Sequence, residues 1–528
     1  MRGPSRGARA TLPTSARATC LQGEVRLSST LAPGAAAPPL ALLPLDRRSP
    51  VPVWRQLADA LRHRVSAGEL AAGSRLPSTR MLAHDLELSR NTVATAYEQL
   101  LADGWLEGRR GAGTFVAHRP PRNGSGNRAP AGAAPGLSAR GATIAASVAT
   151  WRPTRGAPRP FRPGVPAADL FPWPLWRSVC NGALRSSKSE LFAYGEPGGY
   201  PPLREAIAAY VETARGVRCT AGQVIVVEGA QQAIDFALRL LTDPGDLVAA
   251  EDPGYLGARA AMQAAGARIV PVGVDAGGLD VDQLAVVAEP VRLVYTSPSN
   301  QFPLGSTMPR GRREALLAWA RDTGAWIVED DYDSEFRFAA LPIPSLHSLD
   351  TDARVVYVGT FSKVLFPALR LGYLVVPERL LAAVTAARFL AGIHAPFFHQ
   401  VALAEFMAGG HLLRHIRRMR AAYARRQAAL REAAAEHLAG LLQIEGAETG
   451  MKLTAWLPPG VDDVGAAQTA ARAGVDVYPL SRYWLRKPSG ARGGFLLGYA
   501  GYTPDELQAA AAALGAALRA APLPSGGH

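Results

Sequence analysis

Forty-one residues in the N-terminal third decide how this chain is organised. From Arg119 to Arg159 the sequence runs through Pro, Gly, Ala and Ser with seven arginines and no acidic residue, and only Ile144 to Val148 interrupts it with a brief apolar stretch. Such a segment cannot bury a core, so it reads as a flexible linker with a root-mean-square span of roughly 35 Å. The 528 residues therefore divide into an extension (1–45), a small domain (46–118), the linker (119–159) and a large domain (160–528).

With 48% hydrophobic and 19% charged residues, the chain has ample material for cores, which excludes wholesale disorder. No apolar run approaches the roughly 18–20 residues of a membrane span, so a soluble protein with no membrane partner is expected. Cys20, Cys180 and Cys219 are odd in number and widely spaced, showing neither a disulfide framework nor metal-ligand spacing. A reducing cytoplasm and no metal site follow. The extension lacks the apolar core of a signal peptide and is expected to be disordered.

The net charge of +13 is unevenly placed: +4 on the extension, +2 on the small domain and +7 on the linker, while residues 160–528 balance 35 basic against 35 acidic side chains. A neutral body with a basic front end suits a polyanion partner. With only four lysines in the chain, part of the arginine richness is plain residue usage.

In the small domain Trp54, Leu57, Ala58, Leu61 and Val65 recur at helical spacing. A second helix starts after Pro77, capped by Ser78 or Thr79, and is expected to bury Met81, Leu82 and Leu86. A third follows Ser89, with Val93, Ala96, Tyr97, Leu100 and Leu101 inward. Two extended pieces, Trp105 to Glu107 and Thr114 to Ala117, flank a basic tip. Three helices and a hairpin describe an α+β winged helix-turn-helix.

The strings Gly73-Ser74-Arg75-Leu76-Pro77-Ser78-Thr79-Arg80, Leu88-Ser89-Arg90-Asn91-Thr92-Val93 and Gly111-Ala112-Gly113-Thr114-Phe115-Val116 closely resemble the winged-helix domain of the GntR family. The resemblance implies double-stranded DNA as partner. Ser78, Thr79 and Ser89 sit at helix N-termini, which favour phosphate. Arg90, Asn91, Thr92 and Thr95 lie opposite Val93 and Tyr97, where a third helix meets a major groove. Arg75, Arg80, Arg109 and Arg110 suit the backbone or minor groove.

In the large domain short β-branched runs (223–228, 247–250, 268–272, 292–296, 325–329, 354–359 and 371–376) alternate with Ala/Leu helices, predicting an α/β domain with a mostly parallel, buried sheet. Of Lys188, Lys363, Lys452 and Lys487, Lys363 closes a buried strand, in Val358-Gly359-Thr360-Phe361-Ser362-Lys363. A lysine that forms a Schiff base needs such a rigid, desolvated mounting. Thr360 and Ser362 offer hydroxyls to a phosphate, and Arg370 offers a charge. Gly229, Ala230 and Gln231 open a helix after a strand, where backbone N–H groups meet phosphate.

Ser362-Lys363 followed by Arg370-Leu371-Gly372-Tyr373 resembles the lysine segment of fold-type I aminotransferases, and the resemblance implies pyridoxal 5'-phosphate as cofactor. Lys363 would then carry it as a Schiff base. Asp330, with Asp331 second, would pair the protonated ring nitrogen, Tyr332 would reach the phenolic oxygen, and Tyr255 would stack on the ring. Gln301 or Asn300 stands where the family places an Asn-Pro-x-Gly turn that contacts the ring.

Together the two domains resemble the MocR class of transcription regulators, over roughly residues 46–520, notably in 329–335 and 359–363. This implies a homodimer that senses a small amine, an amino acid or the cofactor itself, with Arg482 holding an effector carboxylate and Arg486 and Arg492 as rivals. The alternative is a pyridoxal-phosphate-dependent aminotransferase with an accessory DNA-binding domain, because exchange of the Schiff base from Lys363 to an amine is chemically open to either.

Overall fold

The computed structural model describes residues 43, 45–47, 49–109, 111–118, 136–148, 158–186, 193–338, 343–445 and 449–520. They fall into two compact units that meet in sequence at 135/136.

In the first unit α1 (Val53–Ser66), α2 (Thr79–Asp85) and α3 (Arg90–Ala102) are followed by β1 (Leu106–Arg109) and β2 (Gly113–Val116). The strands pair antiparallel with Leu106 opposite Val116. Ser78 and Ser89 are N-caps, their Oγ atoms accepting from the Met81 amide at 3.2 Å and the Thr92 amide at 3.1 Å. The core is formed by Leu57, Leu61, Leu82, Val93, Leu100 and Val116, and Leu43 joins it. This core therefore begins inside the expected extension; residues 1–42 lie outside the described residues. Met81 is 58% exposed, against expectation, because the short α2 turns only Leu82 and Ala83 fully inward. Leu101 likewise faces outward.

The second unit is built on one eight-stranded sheet. Its strands are β3 (Val224–Val227), β4 (Leu247–Asp252), β5 (Arg268–Asp275), β6 (Gly278–Leu279), β7 (Val291–Thr296), β8 (Trp326–Asp331), β9 (Val355–Thr360) and β10 (Gly372–Val375), in the order β3-β10-β9-β8-β7-β4-β5-β6. β5, β4, β7, β8 and β9 are parallel, whereas β10 is antiparallel to both neighbours. β3, β8 and β9 are buried along their whole length, as expected of a sheet covered on both faces. All seven expected runs appear as strands.

A second sheet, β11 (Gln443–Glu445), β12 (Lys452–Trp456), β13 (Tyr478–Pro479) and β14 (Gly494–Gly498), ordered β11-β12-β14-β13, was not anticipated. Its strands are too short and too far apart in sequence to leave a periodic signal. It packs on the long helix His411–His437 through Tyr423, Leu430, Leu453 and Phe495.

Within the expected linker, Ala139–Ser147 is a helix capped by Ser138, whose Oγ accepts from the Gly141 amide at 3.0 Å. It packs against the helix Leu256–Ala265. The expectation of a linker flexible throughout is corrected here: the Ser138 cap starts a short helix that rests on a neighbouring one, although Ile144 and Val148 stay exposed. Residues 119–135 and 149–157 lie outside the described residues. No described helix is long and apolar enough to cross a membrane.

Candidate cofactor site and DNA-reading helix

Parallel strands of an open α/β sheet place ligands beyond their C-terminal ends, and the chain converges there. A cavity of about 610 Å³ is lined by residues at or beyond the C-terminal ends of β3 (Gly229, Ala230, Gln231), β4 (Tyr255), β8 (Asp330, Tyr332, Asp333) and β9 (Thr360, Ser362, Lys363, Arg370). Every cofactor residue expected from sequence is among them except Gln301.

The strand pleat sorts the acidic run at the end of β8. Asp330 turns to the cavity, its Oδ2 accepting from Tyr295 Oη at 2.5 Å. Its Oδ1 is buried without a hydrogen-bond partner among the described residues. Burial pushes its carboxyl up to about 7. Asp331 faces the other side and accepts from Arg215 Nε at 2.6 Å and Tyr357 Oη at 2.5 Å. Of the two carboxylates, Asp330 alone lines the cavity.

Lys363 Nζ donates to the Gly164 carbonyl at 3.1 Å, and burial pulls its ammonium below the usual lysine range. Gly164 sits at φ +72°, which disfavours a side chain, and a Cβ there would lie 2.5 Å from Lys363 Nζ. Gly229, at φ +109°, starts the helix Ala230–Leu241 beside the Arg370 guanidinium. Gln231 donates to the Gly257 carbonyl at 2.8 Å and accepts from Tyr255 Oη at 3.3 Å, fixing the aromatic ring. Pyridoxal phosphate fits this donor set: an amine that is readily deprotonated, a buried carboxylate with one open oxygen, and a glycine-opened helix with Thr360, Ser362 and Arg370 nearby.

Three expectations are corrected. Gln301 does not line the cavity; fully buried, its Nε2 donates to Glu251 at 3.1 Å, the Pro253 carbonyl at 2.9 Å and the Phe302 carbonyl at 2.7 Å. It ties two loops together instead of touching a ligand. Asn300 is also directed elsewhere, donating to both Asp333 oxygens at 2.8 and 2.9 Å. Arg482 is exposed on the short turn Leu480–Tyr483 and lines no part of the cavity. Nor do Arg486 or Arg492.

Sequence reasoning missed Tyr295, Asp333, Lys452, Met451 and Gly164 as lining residues. Lys452 carried a signal: it is one of four lysines and opens the apolar run Leu453 to Leu457.

In the first unit Arg90, Asn91 and Thr95 are exposed on α3, and Thr92 is half-buried through its contact with Ser89 Oγ at 2.8 Å. Arg75 and Arg80 are exposed, and Thr79 is half-buried. Arg109 is held over the Phe115 ring at 4.5 Å and donates to Glu107 at 2.6 Å. Arg110 lies outside the described residues. The caps turn the Oγ atoms of Ser78 and Ser89 onto their own helices, so these serines present backbone N–H groups rather than free hydroxyls.

A fold-type I α/β unit and a winged helix-turn-helix on one chain define a class. Residues 54–116 match the bacterial regulatory proteins of the gntR family, and residues 175–514 match the class I and II aminotransferases. The chain is 41% identical over 473 residues to the probable rhizopine catabolism regulatory protein MocR of Rhizobium meliloti, covering 88% of this chain and 94% of that one. It is 35% identical to the HTH-type transcriptional regulator TauR of Rhodobacter capsulatus, covering 86% and 94%. Among solved structures, the α-aminoadipate aminotransferase LysN of Thermus thermophilus, complexed with N-(5'-phosphopyridoxyl)-L-leucine, matches with TM-score 0.63 and 29% identity, over 68% of this chain and 92% of that one. The chain belongs to the MocR class of transcription regulators, which join a GntR-type DNA-binding domain to an aminotransferase-like domain.

Proposed function

We propose that this regulator holds pyridoxal phosphate at Lys363 and responds to a small primary amine, or to the arrival of the cofactor itself, by changing its hold on DNA. The observation that carries the reading is the pairing, in one cavity, of Lys363 with the half-satisfied carboxylate of Asp330. When bound, the cofactor supplies an aldehyde for condensation with a primary amine and an electron-withdrawing ring.

The chain's own residues do the rest. Lys363, desolvated, loses its proton readily and is a competent nucleophile. Asp330 keeps a ring N–H protonated through its open Oδ1. Gly229, Thr360, Ser362 and Arg370 anchor a phosphate, and Tyr255, held by Gln231, covers a ring face. A ligand shifts the DNA-binding equilibrium only through different affinities for two arrangements of the protein. A cytoplasmic homodimer reading two half-sites is the assembly in which we place this chain.

The test is binding of the cofactor-loaded protein to DNA from upstream of its own gene, at fixed salt and against unrelated competitor DNA. Wild type and Lys363→Ala run in parallel. Specific binding that changes when cofactor or Lys363 is removed supports the reading. Identical binding by both proteins rejects a sensing role for the cavity, and sustained turnover with an amino donor and a keto acid would move the chain to the aminotransferase alternative.

A further inference from the structure

The cavity lining contains three cations among the described residues: Lys363, Arg370 and Lys452. On the proposed function, on which this inference rests, the first is taken by the cofactor's aldehyde and the second by its phosphate. Lys452 remains. It is 8% exposed, donates one hydrogen bond, to Tyr332 Oη at 2.9 Å, and lies over the rings of Phe302 and Tyr332 at 5.0 and 5.4 Å. Among the described residues its other two N–H donors have no hydrogen-bond partner.

Asp333 lines the same end of the cavity at 2% exposure. Asn300 Nδ2 donates to both its oxygens, and each keeps a lone pair. Lys452 and Asp333 bias each other's ionisation, yet among the described residues no ion pair joins them. Gly450, two residues before Lys452 and at φ +79°, brings its loop close to Asp333: a Cβ there would lie 2.4 Å from Asn300 Nδ2 and 3.1 Å from Asp333 Oδ2. A buried ammonium and a buried carboxylate, near but apart, are satisfied together by one group that both accepts and donates. A hydroxyl does this. A carboxylate would take the lysine but meet a like charge on Asp333 in a low-dielectric site.

We infer that Lys452 and Asp333 form a hydroxyl-recognition subsite, so that the effector class is hydroxylated primary amines rather than amino acids. Lys452 is then a specificity-determining residue, in place of the arginine expected from sequence.

The test titrates full-length, cofactor-loaded protein with two matched series, ethylamine, ethanolamine and glycine, then propylamine, 3-amino-1-propanol and β-alanine. Dissociation constants are read from the absorbance of the bound cofactor. In at least one series the amino alcohol should bind about tenfold tighter than the plain amine, the range of a hydrogen bond to a charged group. Lys452→Met should erase that preference, the amino alcohol then binding no tighter than the plain amine of the same series. Asp333→Asn, which removes the like charge, should tighten glycine and β-alanine. Carboxylated amines binding best to wild type, or a hydroxyl preference surviving in Lys452→Met, overturns the subsite. A cofactor spectrum unmoved by every amine is a different failure: it rejects amine sensing itself, and the subsite with it.

Discussion

Asp330 and Asp331 are consecutive in β8 and serve opposite faces of the sheet: the first accepts from Tyr295 on the cavity side, the second from Arg215 and Tyr357 on the far side. Their substitutions should therefore separate. Asp331→Asn breaks an ion pair whose side chains are 1% and 4% exposed and takes from buried Arg215 the carboxylate it is hydrogen-bonded to, costing about 3 kcal/mol. Asp330→Asn should leave the Tm of cofactor-free protein at pH 8 no lower than wild type while weakening cofactor retention at least tenfold. Thermal unfolding and cofactor dialysis, run on both variants, check the split.

The same carboxylate sets a pH dependence. Burial raises Asp330 from 3.8 to about 7 in the folded chain, so between those values the native state binds more protons than the unfolded one. Stability from this group is complete below about pH 4 and is lost as pH rises towards 7. The difference in unfolding free energy between cofactor-free wild type and Asp330→Asn should fall across that window and stay level above it. Denaturant melts at unit pH steps measure it, and a difference independent of pH would contradict the assignment.

The sites that could be read from sequence are those whose chemistry lies in one contiguous string on a strand end. Thr360 ends β9 with Ser362 and Lys363 just beyond it, and Asp330 is next to last in β8, so the alternating fold alone delivers them to one cavity. Lys452 was not legible in that way, because its partner Tyr332 is 120 residues distant and the sheet that carries it leaves almost no pattern. Gln301 misled for another reason: a polar residue in a ring-contacting turn is read as a ligand, whereas here a buried Glu251 claims its amide. The arginines near 482 were chosen by charge, and none of the three lines the cavity: Arg482 and Arg486 are exposed and Arg492 is held by Leu457 and Gln443.

Gly164 tests whether the segment before the large sheet shapes the lysine. An alanine there must relieve a 2.5 Å approach to Lys363 Nζ and adopt φ +72°, where a Cβ is disfavoured. Gly164→Ala should therefore fold but attach pyridoxal phosphate at least tenfold more slowly than wild type, as followed by absorbance after mixing. Unchanged attachment would show that the segment yields freely.

On α3, stability and specificity should divide between adjacent turns. Ser89→Ala removes the cap on the Thr92 amide and should lower the stability of the small unit by about 1 kcal/mol. Asn91 is exposed, so Asn91→Ala should leave stability unchanged but reduce the preference for specific over competitor DNA, by up to about tenfold for one lost base contact. Competition binding at fixed salt, with unfolding curves alongside, distinguishes the two effects.

The helix Ala139–Ser147 offers a route out of the cavity. It packs on Leu256–Ala265, the helix that begins directly after Tyr255 and whose Gly257 carbonyl is held by Gln231. Two residues expected around the cofactor thus position the surface on which the pre-domain helix rests, while none of its residues enters the hydrophobic clusters of the large unit. Ala142→Pro removes the bond from the Ala142 amide to the Ser138 carbonyl, 2.9 Å long, and should cost that helix about 3 kcal/mol. Cofactor binding and the Tm of the large unit should change little, whereas the change in DNA affinity on adding cofactor should shrink several-fold. If the response persists in full, transmission does not pass through this helix.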